Sequence, residues 1–362
     1  MRLLARFCIS AFMSPSNLNP NLSAASSSSG RRRTVDQFVD GIRRGDRVVL
    51  SQAITLIEST RPADRQKARA VLEACLPLRG PSCRIGITGV PGAGKSTFIE
   101  HLGLRLTDGD HRLAVLTVDP SSERTRGSIL GDKTRMGRLS QHENVYIRPS
   151  PTSGSLGGVA QKTRETILLC EAAGYDTVFV ETVGVGQSET TVHSMVDVFV
   201  LLGIAGAGDE LQGIKRGIVE MADVIAINKA DGDNVQAAER ARQHIENALH
   251  LFPADASGWQ APVLTCSAET GTGLDEVWEA VEEYVTTLRE HGEFEAQRVR
   301  QAKYWMYQTI ERRLKEDFFS NPDVQEMLEA TESEVLRGDL SSFAAADRLL
   351  DAYRTSPSTE TT

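Results

Sequence analysis

Arg84-Ile85-Gly86-Ile87-Thr88-Gly89-Val90-Pro91-Gly92-Ala93-Gly94-Lys95-Ser96-Thr97 opens on a short apolar run and passes directly into a glycine-rich segment. Residues 89–96 fit the spacing G-x-x-x-x-G-K-S, and residues 97–106 continue as an amphipathic helical pattern. Strand, glycine loop and helix in that order form a phosphate cradle. Glycines let consecutive backbone N–H groups turn inward, and the helix N-terminus adds its dipole. Lys95 supplies a mobile cation, and the Ser96 hydroxyl is a ligand for Mg²⁺. Gly89, Val90, Pro91, Gly92, Ala93, Gly94, Lys95, Ser96 and Thr97 are the expected nucleotide contacts.

Downstream, apolar β-branched runs at 114–118, 144–148, 177–181, 197–202, 224–227 and 262–266 alternate with helical patterns, as a parallel sheet covered on both faces requires. Residues 34–80 carry apolar positions at three-to-four spacing, broken by Gly45 and Pro62, and read as an N-terminal helical region. Past Gly273 the pattern is wholly helical, and two or three helices are expected. One face carries Leu274, Val277, Trp278, Val281 and Val285; the next carries Val299, Ala302, Met306, Ile310, Leu314 and Phe318. The aromatics Tyr304, Trp305, Tyr307, Phe318 and Phe319 lie on more than one face, which fits either a subunit interface or packing within the chain. The expected division is a tail at 1–33, the helical region at 34–80, an α/β core at 81–273, closing helices at 274–352 and a tail at 353–362.

The chain has 362 residues, 40% hydrophobic and 25% charged, enough for one large domain with helical additions. A net charge of −9 disfavours a nucleic-acid surface, which needs concentrated positive charge. No run approaches the roughly 20 apolar residues of a membrane span. Five cysteines without a C-x-x-C pair point to neither a disulfide framework nor a zinc site. The first 35 residues contain no acid, carry five arginines and are rich in serine. They read either as a mitochondrial transit peptide or as a disordered tail ahead of a start at Met13.

Asp119 and Glu181 follow or close apolar runs, at the sheet edge where ligands of open α/β folds bind, and are candidates for Mg²⁺. Asp132, in a glycine-containing segment with Lys133 and Arg135, is a third candidate for metal binding or water positioning. Gly184, just past Glu181, suits a loop whose N–H senses the γ-phosphate, and Gln187 is either a water-orienting residue or an ordinary loop glutamine. Asn228-Lys229-Ala230-Asp231 follows the run 224–227, so that the Asp231 carboxylate can accept from guanine N1–H and N2–H₂, a donor edge adenine lacks. Ser267, Ala268 and Glu269 match the loop whose amide contacts the guanine oxygen. The expected fold is therefore the α/β, doubly wound, mostly parallel sheet of a P-loop GTPase, with Lys95, Asp119, Asp132 and Glu181 as catalytic candidates and GTP or GDP with Mg²⁺ as ligands.

These segments, with Val118-Asp119-Pro120-Ser121-Ser122, the stretch 127–136, Glu181-Thr182-Val183-Gly184-Val185-Gly186-Gln187-Ser188-Glu189 and Gly208-Asp209-Glu210-Leu211-Gln212-Gly213-Ile214-Lys215, resemble the MeaB/ArgK-like GTPases, called MMAA in animals. That family chaperones cobalamin-dependent methylmalonyl-CoA mutase. The resemblance implies slow GTP hydrolysis stimulated by an acyl-CoA mutase, GTP-gated delivery of adenosylcobalamin, protection of the mutase, and a homodimer joined through C-terminal helices. It also implies that Asp119, Asp132 and Glu181 serve the metal and catalytic site and that Asp209, Glu210 and Lys215 belong to a third switch. One departure is Glu123-Arg124-Thr125-Arg126-Gly127, where the family usually has Pro-Phe-Thr-Gly-Gly; it adds positive charge beside the phosphates and removes a glycine. The competing readings are a GTPase metallochaperone, a kinase or ATPase serving amino-acid transport, and a nucleotide-dependent scaffold with little turnover. The compartment follows from the source: cytoplasmic in a bacterium, or the mitochondrial matrix if the tail is a transit peptide.

Overall fold

The computed structural model describes residues 33–118, 136–149, 156–182, 188–205, 216–250 and 258–355. Three helices lead: α1 (Val35–Arg43), α2 (Arg47–Glu58) and α3 (Pro62–Cys75). Thr34 and Gln37 close a capping box on the first, and the Asp46 carboxylate accepts from the amides of Val48 and Val49 at the start of the second.

Seven parallel strands follow: β1 (Cys83–Gly89), β2 (Leu113–Val118), β3 (Val145–Arg148), β4 (Thr177–Thr182), β5 (Val198–Ile204), β6 (Val224–Asn228) and β7 (Val263–Thr265). Their order is β3-β2-β4-β1-β5-β6-β7. Each of the six expected downstream runs is a strand, with ends shifted by a residue or two; Cys266 lies just past β7 rather than closing it. Strand β1, which feeds the glycine loop, is central, flanked by β4 and β5. Successive strands are added outward in opposite senses on its two sides, and this is where a doubly wound sheet opens a crevice at its carboxyl edge.

Both faces are covered. On one, α4 (Lys95–Asp108) and α9 (Leu274–Glu290) bury Phe98, Ile99, Leu102, Val277 and Val281 against Ile85, Ile87, Val115 and Phe179. On the other, α1, α2 and α3 join α5 (Leu156–Ala172) and α6 (Ser188–His193) over Ala114, Leu116, Val178 and Val180. The N-terminal helices thus share the core of the sheet. Beyond the centre, α7 (Arg216–Glu220) precedes β6, and α8 (Val235–Leu249) packs Ala238, Ala241 and Ile245 on Ile225 and Ile227.

Four helices close the described chain, where two or three were expected: α9, α10 (Glu293–Ser320), α11 (Pro322–Arg337) and α12 (Ser342–Thr355). The extra break is local chemistry. Asn321 caps α11 with Pro322 at its first position, and Gly338 ends it at φ 80°. The expected apolar stripe of α10 does not face the core: Val299, Met306, Ile310 and Leu314 are exposed, whereas Phe294, Gln301 and Trp305 are buried. Among the described residues no helix is long and apolar enough to cross a membrane.

Candidate nucleotide site

Glycine is required at two points of the loop between β1 and α4. Gly89 (φ 151°) sits so close to β5 that a Cβ would stand 2.3 Å from the Leu202 carbonyl oxygen. Gly94 (φ 88°) is the N-cap of α4, and a Cβ there would meet Asn228 Nδ2 at 2.6 Å. The loop is therefore pressed against both β5 and the end of β6.

Lys95 is the first residue of α4 and is buried; its Nζ donates to the carbonyls of Gly89 at 2.8 Å and Val90 at 3.2 Å. Burial lowers its pKa, opposed by the negative charges of Glu181 and Glu189. Ser96 Oγ donates to Glu181 Oε1 at 3.0 Å. Glu181 is buried and sits one residue before the end of β4, in register with Ile87 of β1 and Thr117 of β2. This pair fits Mg²⁺, because two cis oxygens on an octahedral ion with bonds of about 2.0–2.1 Å stand about 2.9 Å apart. Next to it Thr182 Oγ1 donates to Thr88 Oγ1 at 3.0 Å, tying the ends of β4 and β1.

The segments expected to read the base converge through Asn228, the last residue of β6. Its Nδ2 donates to the carbonyl of Ala93 at 2.7 Å, and its Oδ1 accepts from the Ala268 amide at 2.9 Å. Within the loop expected to meet the guanine oxygen, the Ala268 amide is thus engaged with Asn228. Lys229 is exposed and holds the left-handed conformation (φ 61°) that turns the chain toward Asp231. Ser267 Oγ donates to Asp231 Oδ2, and the Ala230 amide donates to the Cys266 carbonyl at 2.9 Å. Glu269 is exposed at the rim.

Of the expected site residues, the structure brings Lys95, Ser96 and Glu181 into one cluster, and Ala93, Asn228, Asp231, Ser267 and Ala268 into another adjoining it. Asp119, Asp132, Gly184, Gln187, Asp209, Glu210 and Lys215 lie outside the described residues, as does the departure at 123–127. Sequence reading passed over Glu189 as a site residue. It is buried in the first turn of α6, and its charge acts on Lys95. Its signal was its place at the end of the string from Glu181, just past Gly184 and Gln187 in sequence.

Fold and site together are those of a P-loop GTPase. The family model for methylmalonyl Co-A mutase-associated GTPase MeaB matches residues 50–323, and the chain belongs to that family. A probable GTPase of Mycobacterium tuberculosis is 51% identical over 318 residues, covering 88% of this chain and 95% of that one. GTPase ArgK of Escherichia coli is 46% identical over 322 residues, 89% and 97% of the two chains. The mitochondrial methylmalonic aciduria type A homolog of Mus musculus is 46% identical over 333 residues, 89% and 80%. A crystal structure titled LAO/AO transport system kinase superposes with a TM-score of 0.71 at 39% identity, covering 89% of this chain and 98% of that one.

Proposed function

We propose that this chain binds GTP with Mg²⁺, hydrolyses it, and uses the cycle to gate adenosylcobalamin delivery to, and to protect, methylmalonyl-CoA mutase or a related acyl-CoA mutase. The observation that carries the GTP reading is the double hydrogen bond of Asn228 to Ala93 and Ala268, which joins phosphate loop to base loop while Ser267 holds the Asp231 carboxylate. The match to the MeaB family supports the choice of client.

In this reading the amides of the glycine loop and the start of α4 bind the β- and γ-phosphates. Lys95 then exchanges its carbonyl partners for phosphate oxygens and stabilises the charge that develops during in-line attack of water. Ser96 and Glu181 hold Mg²⁺, with Asp119 and Asp132 as the further expected ligands or water-positioning groups. When bound, the ion supplies charge neutralisation at the phosphates. Gly184 and Gln187 belong to the loop that senses the γ-phosphate, and Asp209, Glu210 and Lys215 to a loop that signals to the client. Asp231 selects guanine, and the transport-kinase reading would require a base site that accepts adenine.

The protein acts as a homodimer through its C-terminal helices 274–352. Support comes from α10, whose exposed Val299, Met306, Tyr307, Ile310 and Leu314 repeat at helical spacing. Sedimentation should give twice the chain mass, and charged residues at Ile310 and Leu314 should give the monomer.

The decisive measurement is the GTPase rate with and without an adenosylcobalamin-dependent acyl-CoA mutase, with ATP as control. Strong stimulation with GTP alone supports the chaperone. A GTPase indifferent to the mutase points to another client, a metalloenzyme first, and binding without turnover points to a scaffold.

A further inference from the structure

We propose that Arg105 is a positioning residue for guanine recognition, fastening the base-reading loop to the phosphate-binding helix. The inference rests on the GTP reading above and names a residue that reading does not use.

Loop 267–273 carries the groups that meet the base. Part of its shape is internal: the Gly271 amide donates to the Ser267 carbonyl at 2.8 Å, the Ser267 amide to the Thr272 carbonyl at 2.8 Å, and the Thr270 amide to Ser267 Oγ at 3.2 Å. Through the same Oγ the loop holds Asp231. A displacement at Gly271 is therefore transmitted through Ser267 to the carboxylate that reads guanine.

Arg105 controls Gly271 from the outside. Its Nη2 donates to the Gly271 carbonyl at 2.7 Å, and its Nη1 pairs with Asp275 Oδ1 at 2.5 Å in the first turn of α9. The guanidinium thus spans the loop and the helix that follows it, a two-point contact that arginine makes and lysine cannot. Gly271 is matched to it. The residue is buried at φ 80°, and a Cβ would stand 2.7 Å from Arg105 Nη2, so any other residue there would push the guanidinium off the carbonyl.

Lys95 begins α4 and Arg105 lies in its last turn, ten residues or about 15 Å further along. One rigid element therefore carries the phosphate cation at its start and the fastening of the base loop near its end. With Asn228 joining the two loops at the mouth, the distance between the phosphate and base subsites is fixed from two sides.

The test compares wild type, Arg105→Ala, Arg105→Lys and Asp275→Asn in steady-state hydrolysis of GTP, of ITP, which lacks the 2-amino group, and of ATP. Arg105→Ala should raise KM for GTP about tenfold, as loss of one hydrogen bond to a charged group implies. It should leave kcat within about twofold and shrink the preference for GTP over ITP, a pattern of lost binding without lost chemistry. Arg105→Lys should recover part of the KM effect, and Asp275→Asn should show a smaller one. Unchanged KM and unchanged GTP-over-ITP preference in Arg105→Ala overturns the proposal. So does a fall in kcat with both nucleotides affected alike, which marks general damage to α4. A wild-type protein with no preference for GTP over ATP overturns the guanine reading itself, whereas an intact wild-type preference that survives Arg105→Ala overturns only the role of Arg105.

Discussion

The two ends of the central strands treat charge in opposite ways. At the amino edge, Arg84 pairs with Glu171 through two hydrogen bonds of 2.7 and 2.9 Å, Ser82 Oγ adds a third to the same carboxylate, and Arg298 of α10 grips Asp197 through bonds of 2.8 and 2.6 Å. The Arg84 amide donates to Asp197 as well, so the two pairs form one closed network. At the carboxyl edge, Lys95 donates to main-chain carbonyls, and Asn228 bonds two main-chain groups. Buried charges that neutralise one another fix geometry. A buried ammonium held by carbonyls keeps its charge available to an anion, at a desolvation cost that appears as its lowered pKa. The amino edge is a clamp, and in the proposed function the carboxyl edge is a receptor.

The sharpest way to break this contrast is Lys95→Ala. Losing the cation should cut kcat/KM for GTP about a thousandfold, about 4 kcal/mol, while the melting temperature stays within a few degrees, since no ion pair of the clamp is touched. Unaltered GTP binding would remove Lys95 from the receptor. The converse change, Arg298→Ala, leaves Asp197 buried with the Arg84 amide as its remaining donor among the described residues, and removing one partner of such a pair costs about 3 kcal/mol. Urea unfolding should record that loss, with KM for GTP unchanged. If KM moves instead, the two edges are coupled rather than divided in function.

How much of each edge could be read beforehand follows from the same contrast. The glycine loop of the carboxyl edge is written in contiguous residues, because a main-chain cradle needs glycines at fixed spacing; Gly89 and Gly94 are where no side chain fits. The strands were legible for a similar reason, since burial on both faces demands unbroken apolar runs. The clamp left no local signature: Arg84 and Glu171 are 87 residues apart, and Arg298 and Asp197 are 101. Glu171 reads as one more helical acid until the sheet places it against Arg84. Nor could spacing decide which face of α10 is buried. The apolar repeat Val299, Met306, Ile310 and Leu314 faces solvent, and the inward face carries Gln301 and Trp305, which donate to the carbonyls of Val196 and Ser194. The core asked those positions for hydrogen-bond donors to loop carbonyls, a demand hydrophobic periodicity does not express.

Base selection tests the receptor more finely. Asp231→Asn keeps the shape of the site and an acceptor, but replaces one carboxylate oxygen by a donor facing guanine's own donors. Preference for GTP over ATP should fall by about 2 kcal/mol, roughly thirtyfold, read from competition binding. Because the amide oxygen can still accept from Ser267, the thermal stability should barely change. An intact preference would shift base selection away from Asp231.

The smallest expected effect sharpens the clamp. Burial opposes ionisation of Glu171, but the two bonds from Arg84 and the Ser82 hydroxyl outweigh it, and the carboxyl is held below its ordinary value. A carboxylate depressed on folding adds stability that is complete above the unfolded value of about 4.3 and disappears as pH falls through the lower folded value. In denaturant titrations taken from neutral pH down to about pH 3, wild type should lose this contribution in the acid limb. Glu171→Gln, already without the charge, should be less stable at neutral pH and lose less on acidification. Parallel curves for the two proteins would mean that Glu171 serves the clamp as a hydrogen-bond acceptor and not as a charge, and the contrast between the edges would then rest on Arg298 and Asp197 alone.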